Sequence, residues 1–317
     1  MNLTIWTLCD GNRGHEKQVD GLLQGLASLQ SIRSYGIDCR YSATEKWHEW
    51  LHNRFVRGNH LPEPDLIVGT GHKTHLPLLS ARNRHGGRAV VLMRPTLPAN
   101  WFDYAIVPQH DRPPLVGNVI ASRGVLAPGS VKTGNVKKST EEKPCGLILL
   151  GGENRYFTWD SAHIVQQLNH ICDARPDLCW LVADSRRTPI DTRKMLATLA
   201  DRCRFVHWRD TGSDWLPRTI AAAREIWVSP DSASMLFEAL NSHAAVGVLN
   251  LSPRGRCNKL LRGIRQLSER GEITPYPLWQ LRGFPSQRRA PLNEHLRCAQ
   301  QLLERMAEET STGLATV

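Results

Sequence analysis

Short runs of apolar residues alternate along this chain with polar or Gly-rich turns and with longer segments of helical periodicity. The first run covers residues 3–8, a turn follows at 10–14, and an amphipathic segment extends over 16–29. Apolar residues in that segment recur on one face, which is typical of a helix with one buried side. The residues of this face are Val19, Leu22, Leu23 and Leu26. The order of strand, turn and helix recurs downstream, and it predicts parallel sheets covered by helices on both faces.

One polar segment interrupts this pattern. Residues 128–144 are rich in Gly, Ser, Thr, Lys and Glu and hold almost no apolar residue, which is typical of a linker. A new apolar strand follows at 146–150. A length of 317 residues is about twice that of a usual domain. We therefore predict an N-terminal domain over 1–130 and a C-terminal domain over 144–317, whose closing helix could cross back to the first domain.

The fold class predicted by this organisation is α/β, with two Rossmann-like doubly wound domains facing a cleft. Ligands of such sheets lie at the carboxyl ends of the strands. The turns that follow the strands are therefore where binding and catalytic residues are expected.

The net charge of +10 favours polyanionic partners. The basic residues are dispersed and no zinc finger or RNA-recognition signature accompanies them, so we predict no nucleic-acid partner. A phosphate-rich small molecule or the anionic face of a membrane explains the charge equally well.

Cysteine usage and hydropathy point to a cytoplasmic protein. The eight cysteines include no C-x-x-C pair, so we predict buried reduced thiols, no metal site and no cofactor. No apolar run reaches the ~18 residues of a membrane span, and the start lacks the features of a signal peptide. Trp101 and Phe102 with Arg94 could form a peripheral membrane edge, although a buried aromatic pair is the commoner explanation.

The turn between the first strand and the first helix carries the first candidate chemistry. Its glycines, Gly14 among them, let the backbone approach a ligand, and the N–H groups of the helix start favour an anion. The helix dipole disfavours a protonated His15, and a neutral imidazole can act as a general base; purely local hydrogen bonding is the alternative. Asp10 could orient His15, cap the turn or act as the base itself.

A second turn of the same kind lies at 69–75. Gly71 in this turn would face the same cleft. Lys73 could contact a phosphate or an acceptor, and a solvated surface lysine is the alternative.

Two turns of the second half have donors suited to a diphosphate. The turn at 151–154 follows a fully apolar strand, and the turn at 185–188 adds hydroxyl and guanidinium donors for bidentate contact. The candidate residues of these turns are Gly151, Gly152, Asn154, Ser185, Arg186 and Arg187.

The segment 229–239 is the most informative part of the second half. A strand ends here, and Ser232 and Ser234 open a helix whose N-terminus could bind phosphate. Glu238, one turn further on, could accept hydrogen bonds from both ribose hydroxyls. An ordinary serine cap with a solvated glutamate is the alternative.

Taken together, these segments resemble the mitochondrial-fission ELM family, a group of predicted glycosyltransferase-like proteins common in bacteria and also present in plants. The chain departs from the pattern of that family at Asn12-Arg13, at Arg94 and at Glu153-Asn154, which bears on the substrate more than on the fold. The matching segments span most of the chain in order; they are 9–16, 64–71, 93–103, 107–111, 151–160, 185–189 and 231–235.

The chain is more distantly similar to GT-B glycosyltransferases, above all to the enzyme that adds N-acetylglucosamine to the peptidoglycan lipid carrier. This resemblance implies that His15 is the base or an acceptor-side residue and that Trp208, with the two residues before it, edges the nucleotide base. It implies further that the nucleotide is held by Gly151, Gly152, Ser232, Ser234 and Glu238. Folds of this kind usually need no metal, because helix termini and arginines offset the diphosphate charge.

We therefore expect a metal-independent glycosyltransferase, with cell-envelope glycan synthesis as its expected setting. Its second domain would take a nucleotide-sugar donor, a UDP-sugar being favoured, and its first domain a glycan or lipid-linked acceptor. One alternative is a sugar-nucleotide 2-epimerase or hydrolase of the same fold, which needs no acceptor. The other is a non-catalytic adaptor, the role that the plant members of the family imply.

Overall fold

The computed structural model describes residues 2–129, 144–255, 258–283 and 290–314. The predicted linker at 128–144 lies almost entirely outside the described residues.

The chain forms two compact units. The first consists of Met1–Gly129 together with Asn293–Val317, and the second of Ser130–Leu292. The sequence-based division into 1–130 and 144–317 counts the closing helix with the second domain and allows it to cross back to the first; in the structure this helix belongs to the first unit.

In its described residues before 129 the first unit contains six strands and three α-helices. The strands are β1 (Leu3–Cys9), β2 (Ile32–Asp38), β3 (Leu66–Thr70), β4 (Arg88–Leu92), β5 (Tyr104–Pro108) and β6 (Val119–Ser122). The helices are α1 (Arg13–Leu29), α2 (Ala43–Leu51) and α3 (His75–His85). The strands pair in parallel in the order β2-β1-β3-β4-β5-β6, so that β1 and β3 are neighbours although α1, β2 and α2 separate them in sequence.

Both faces of this sheet are buried. Ile5 and Trp6 are adjacent on β1, point to opposite faces and are both 0% exposed. Ile5 packs in one core with Leu22 and Leu26 of α1, whereas Trp6 packs in a second core with Leu78 of α3. A strand buried on both faces needs apolar residues at successive positions, which explains the continuous apolar runs in the sequence.

The second unit repeats this architecture. Its described strands are β7 (Cys145–Leu149), β8 (Phe157–Thr158), β9 (Cys179–Ala183), β10 (Cys203–Val206), β11 (Glu225–Val228), β12 (Ala245–Val248), β13 (Ser252–Pro253) and β14 (Thr274–Pro275). Its described helices are α4 (Ser161–Ala174), α5 (Ile190–Leu196), α6 (Trp215–Ala222), α7 (Ala233–Leu240), α8 (Lys259–Glu269) and α9 (Tyr276–Arg282). The main sheet is parallel in the order β10-β9-β7-β11-β12-β14, and β8 and β13 form a separate antiparallel pair.

The last helix, α10 (Glu294–Leu314), packs against α1 in the first unit. Cys298, Ala299 and Leu302 are 0% exposed in the same core as Ile5. The two helices approach so closely at Gly25 that a Cβ there would lie 2.3 Å from the carbonyl oxygen of His295. The apolar stripe of α10 therefore completes the core of the first unit, which is why the last helix belongs there and not to the second unit.

Within the residues that the structure describes, no helix combines the length and the apolar character needed to cross a bilayer.

The first residue of α3, His75, is expected to make the stability of the first unit depend on pH. Its side chain is buried beside Thr96, and burial, together with the neighbouring His72, lowers the pKa of His75 from 6.5 to about 4. Between these values the unfolded chain binds a proton that the folded unit does not, so stability falls as the pH decreases through this window. We expect a loss of about 2 kcal/mol between pH 7 and pH 5 from this group alone.

Urea unfolding at both pH values measures this effect. His75→Gln should remove most of this pH-dependent loss in the free energy of unfolding. His60→Gln, at an exposed position, should retain the loss. An identical pH dependence in wild type and His75→Gln would show that His75 is not the group responsible.

Candidate functional site

The loop after β1 and the loop after β3 meet in the first unit because the two strands are parallel neighbours. Asp10 follows β1 directly, and Gly11, with a φ of +78°, turns the chain into α1. Asn12 is the N-cap of this helix, and its side-chain oxygen accepts a hydrogen bond from the N–H of Gly14 at 2.9 Å. Gly14 therefore belongs to the first turn of α1.

His15 and Asp10 form a hydrogen-bonded pair on this loop. Nδ1 of His15 lies 2.8 Å from Oδ2 of Asp10, and Oδ1 of Asp10 accepts from the N–H of Asn12 at 3.0 Å. The Asp10 side chain is 5% exposed and that of His15 is 23% exposed. An ionised carboxylate can only accept, so Nδ1 of His15 is the donor to Asp10, and in the neutral imidazole this tautomer has its lone pair on Nε2. Asp10 both orients His15 and braces the turn.

Gly71 brings the second Gly-rich turn against this pair. Its φ is +87°, and a Cβ at this position would lie 2.4 Å from Cε1 of His15. Only glycine allows the backbone after β3 to approach the imidazole this closely. The structure thus brings together three residues that the sequence singled out separately, namely Asp10, His15 and Gly71.

A pocket of about 220 Å³ opens beside the pair in the first unit. Its walls include Asp10, His15 and Glu16 and the buried side chain of Thr70. Oγ1 of Thr70 has no hydrogen-bond partner among the described residues. A buried hydroxyl without a partner is unusual in a folded protein, and here it lines the pocket that contains the candidate base.

In the second unit, three neighbouring strands end in polar loops that are joined by one carboxylate, that of Asp231. The N–H of Gly152, after β7, donates to Oδ2 of Asp231 at 2.9 Å. The hydroxyl of Ser229, after β11, donates to Oδ1 at 2.6 Å, and the guanidinium of Arg187, after β9, lies 2.7 Å from Oδ2. Burial raises the pKa of Asp231, while the contacts with Ser229, Arg187 and Gly152 oppose this rise.

The two glycines of the 151–154 turn are explained by the close approach of the neighbouring loops. A Cβ at Gly151 would lie 2.1 Å from Oδ2 of Asp231, and a Cβ at Gly152 would lie 2.0 Å from the carbonyl oxygen of Arg187. The N–H of Gly151 donates to Oγ of Ser229 at 2.8 Å, so the amides of both glycines already have protein partners. Their direct contact with a diphosphate stays a prediction.

Asn154 has a structural place in the same turn. Its Nδ2 donates to the carbonyl of Asp231 at 3.0 Å, and its Oδ1 accepts from the N–H groups of Tyr156 and Phe157. The bond to Asp231 holds the loop after β7 against the loop after β11, and the other two shape the loop after β7 itself.

The structure separates the two adjacent arginines of the second turn. Arg187 is paired with Asp231 and also donates to the carbonyls of Gly152 and Glu153. Arg186 is exposed, and within the described residues it has no hydrogen bond or ion pair. Oγ of Ser185 donates to the carbonyl of Gly151 at 2.5 Å, so this hydroxyl also joins two loops. Of these three side chains, Arg186 is the one without a protein partner among the described residues.

The helix that follows β11 begins as the sequence predicts. Ser232 is the N-cap of α7, where its hydroxyl accepts from the N–H of Met235 at 3.5 Å. Oγ of Ser234 donates to Oε1 of Glu238 at 2.7 Å, and both side chains are half-buried. The N-cap and the first turn of α7 therefore present two hydroxyls, and the second of them is bonded to a carboxylate one turn further along the helix.

Trp208 lies beyond the end of β10 and is tied to β9 through Asp184. The N–H of Trp208 donates to Oδ1 of Asp184 at 2.6 Å. Its ring is half-buried, stacks on His207 with centroids 5.7 Å apart, and carries the guanidinium of Arg209 on one face at 5.1 Å. This ring is an aromatic surface on the carboxyl-end side of the sheet.

Sequence reasoning missed Asp231 and Asp184 as the residues that organise the second-unit loops. Both are buried and accept hydrogen bonds from neighbouring loops. The available signal was their position, because each follows an apolar strand directly or closely.

The family model for mitochondrial fission ELM1 matches residues 13–306. The chain belongs to this family. The family resemblance drawn from the sequence motifs is thereby confirmed. None of the curated proteins shows significant sequence similarity to this chain.

Several solved structures resemble the chain over nearly its whole length. The UDP-GlcNAc 2-epimerase from Neisseria meningitidis bound to UDP-GlcNAc is 11% identical, with a TM-score of 0.56, and the match covers 97% of this chain and 100% of that one. S. aureus MnaA with UDP is 11% identical, with a TM-score of 0.56 and coverages of 98% and 97%. Acinetobacter baumannii MurG is 12% identical, with a TM-score of 0.51 and coverages of 94% and 95%.

Similarity at this level of identity establishes the fold. The predicted α/β fold of GT-B type, with two Rossmann-like parallel sheets, is confirmed.

Proposed function

We propose that this protein is a glycosyltransferase that uses a nucleoside-diphosphate sugar, a UDP-sugar being favoured, and transfers the sugar to a hydroxyl of a glycan or lipid-linked acceptor. The observation that carries the proposal is the His15–Asp10 pair, held against Gly71 at the carboxyl ends of β1 and β3 and opening into a pocket. A positioned imidazole with an orienting carboxylate is the arrangement that general-base catalysis needs.

In the proposed reaction, Nε2 of His15 accepts the proton of the acceptor hydroxyl. The hydroxyl oxygen forms a bond to the anomeric carbon of the donor sugar as the bond from that carbon to the diphosphate breaks. Asp10 keeps the proton of His15 on Nδ1 and stabilises the imidazolium that forms. The nucleoside diphosphate leaves with the bonding electrons.

The donor would be bound by the second unit, chiefly at the start of α7. Helix N-termini favour phosphate groups, and the hydroxyls of Ser232 and Ser234 add donors at this point. Glu238 would accept hydrogen bonds from the ribose hydroxyls, and Arg186, whose guanidinium is exposed, would offset the charge of the leaving diphosphate. Trp208 would lie against the nucleotide base. The proposal includes no metal and no cofactor.

One observation favours a second candidate, a sugar-nucleotide 2-epimerase or hydrolase. The N. meningitidis epimerase has a TM-score of 0.56 with this chain, compared with 0.51 for MurG. An enzyme of this kind would act on the donor alone. Incubation with UDP-GlcNAc but no acceptor separates the two, because only the epimerase or hydrolase would give epimerised or free sugar.

Peripheral contact with a membrane also belongs to the proposal. Phe102 is 2% exposed and lies in the core, so the sequence-predicted aromatic edge is reduced to Trp101, which is 40% exposed and stacks on Trp50. Arg94 donates to the carbonyls of Asp111 and Arg112. A lipid-linked acceptor would bring the protein to the membrane surface.

The donor site is tested by the melting temperature in the presence of nucleotides. UDP binds the folded state in this proposal, so it should raise the melting temperature in a saturable way without added metal. Glu238→Ala should weaken UDP binding by about tenfold or more, because a charged acceptor of hydrogen bonds is lost.

Asp191→Ala is the matched control, since it removes an exposed helical carboxylate from the same unit. The donor proposal fails if no nucleoside diphosphate shifts the melting temperature of the wild-type protein. That result would favour the adaptor function.

A further inference from the structure

A second and larger pocket, of about 690 Å³, lies within the first unit. It is lined by the start of α2, by the loop after β2 and by the residues that precede α3, and Asp10 forms part of its wall. Because Asp10 also holds His15, this pocket adjoins the candidate base. We propose that it binds the phosphate group of a phosphorylated acceptor, and that Lys46 and Lys73 are the residues that recognise this group. As an acceptor site, the pocket rests on the proposed glycosyltransferase function.

Lys46 is the first observation behind this proposal. It is 7% exposed, yet its Nζ forms no ion pair in the described part of the chain. Its contacts are the carbonyl of Lys73, at 3.0 Å, and the ring of Tyr41, 5.0 Å from the centroid. Burial lowers the pKa of Lys46, and the charge of Lys73 acts in the same direction. A buried ammonium is costly unless an anion compensates it.

The carboxylates near Lys46 form hydrogen bonds and ion pairs with other residues. Glu49, on the same helix as Lys46, lies 2.6 Å from Arg57 and 2.5 Å from the hydroxyl of Tyr41. Asp10 accepts from His15 and from the N–H of Asn12. The described protein residues therefore give Lys46 no ion pair, and the charge of Asp10 offsets its burial only in part.

The other charged residues that line the pocket indicate the charge of its ligand. Arg40 is neutralised by Asp38 through a bidentate contact with a shortest distance of 2.7 Å, so it adds little net charge. Lys73 is exposed and has no ion pair among the described residues. Two ammonium groups without an ion pair among the described residues thus line one pocket, which suits a phosphate monoester or diester better than a singly charged carboxylate.

Aromatic residues complete the pocket and indicate what carries the phosphate. Trp47 lines it with 52% of its surface exposed, and Tyr41 lies on the inner side beneath Lys46. Pockets lined by aromatic faces with a few charged groups are typical of sites for small organic ligands. An acceptor whose ring or chain covers Trp47 and whose phosphate lies between Lys46 and Lys73 fits these walls.

The pocket is tested on the full-length protein in saturating UDP, so that any phosphate site for the nucleotide is filled. Inorganic phosphate and glucose 1-phosphate are titrated by calorimetry. We expect saturable binding that Lys46→Met and Lys73→Gln each weaken by about tenfold, because each removes one charge-assisted contact. Lys194→Gln, which changes an exposed lysine of the second unit, should leave binding unchanged.

Vesicles of phosphatidylcholine with and without phosphatidic acid distinguish a lipid-borne phosphate from a soluble one. Binding that needs phosphatidic acid and is lost in Lys46→Met supports the pocket with a lipid-linked acceptor. Binding of the soluble probes alone, with the same loss, supports it with a soluble acceptor. The pocket proposal is overturned if no probe binds, or if Lys46→Met and Lys73→Gln both bind as the wild type does.

The pocket proposal and the donor-site proposal can fail separately in these experiments. A UDP shift that persists while neither Lys46→Met nor Lys73→Gln affects phosphate binding refutes the pocket and leaves the donor proposal intact. Phosphate binding that is lost in Lys46→Met, in a protein whose melting temperature UDP does not change, refutes the donor proposal and leaves the pocket intact.

Discussion

Replacing His15 with alanine is expected to lower the rate of UDP release from the sugar donor by about 10²- to 10⁴-fold, the usual contribution of a positioned general base. His15 lies in the first unit and the donor groups in the second, so UDP should still raise the melting temperature of the variant. The measurement is the initial rate of UDP release with donor and acceptor both present. His60→Ala, which changes an exposed histidine of the same unit, should keep the wild-type rate.

Asp10→Asn tests the role of the carboxylate in the same assay. An amide cannot enforce the proton on Nδ1 of His15 as a carboxylate does, so kcat should fall while KM changes little. A His15→Ala enzyme with a rate within about threefold of wild type would exclude general-base catalysis by this residue.

Asp231→Ala is expected to destabilise the second unit by about 3 kcal/mol. The change removes the acceptor of the Gly152 N–H, of the Ser229 hydroxyl and of the Arg187 guanidinium. The first two donors are buried and would lose their partner without gaining water, whereas Arg187 is 44% exposed and can be solvated. The main cost therefore comes from Gly152 and Ser229.

Urea unfolding followed by a probe in the second unit, for example fluorescence of its tryptophans, gives the change in free energy of unfolding. Asp191→Ala, at an exposed carboxylate of the same unit, should change it by about 0.5 kcal/mol or less. The loss in free energy of unfolding caused by Asp231→Asn should lie between the values for these two variants. An amide oxygen can still accept from the N–H of Gly152, but an amide cannot neutralise Arg187. A loss below about 1 kcal/mol in Asp231→Ala would mean that the three loops hold together without this carboxylate.

Much of the first-unit site could be predicted from the sequence because it depends on local structure. Asp10, Gly14 and His15 all lie within the turn that joins β1 to α1, so a strand followed by a Gly-containing turn and a helix was enough to bring them close. Gly71 is distant in sequence, and its approach to His15 follows from β1 and β3 being parallel neighbours. The sequence indicated that strands alternate with helices, which allows this order without requiring it.

The hydrogen-bond partners of the second-unit turns could not be predicted from the sequence. Gly151 and Gly152 were predicted to lie in a turn that binds a diphosphate, and their amides donate to Ser229 and Asp231. A Gly-Gly pair after a strand indicates that something approaches the backbone closely, and it does not say whether a ligand or a protein side chain does so. The partner is about eighty residues away in sequence, and only the pairing of β7 with β11 places it there.

The two parallel α/β sheets, the turns at their carboxyl ends and the resemblance to the ELM1 family could all be predicted from the sequence, because periodicity and turn residues act over a few neighbouring positions. The tertiary structure alone decided that α10 completes the core of the first unit, that Asp231 joins three loops and that Lys46 is buried without a carboxylate partner in the described chain. Each of these depends on contacts between residues far apart in sequence. Burial and charge compensation exist only once the sheets have formed, so the local pattern does not encode them.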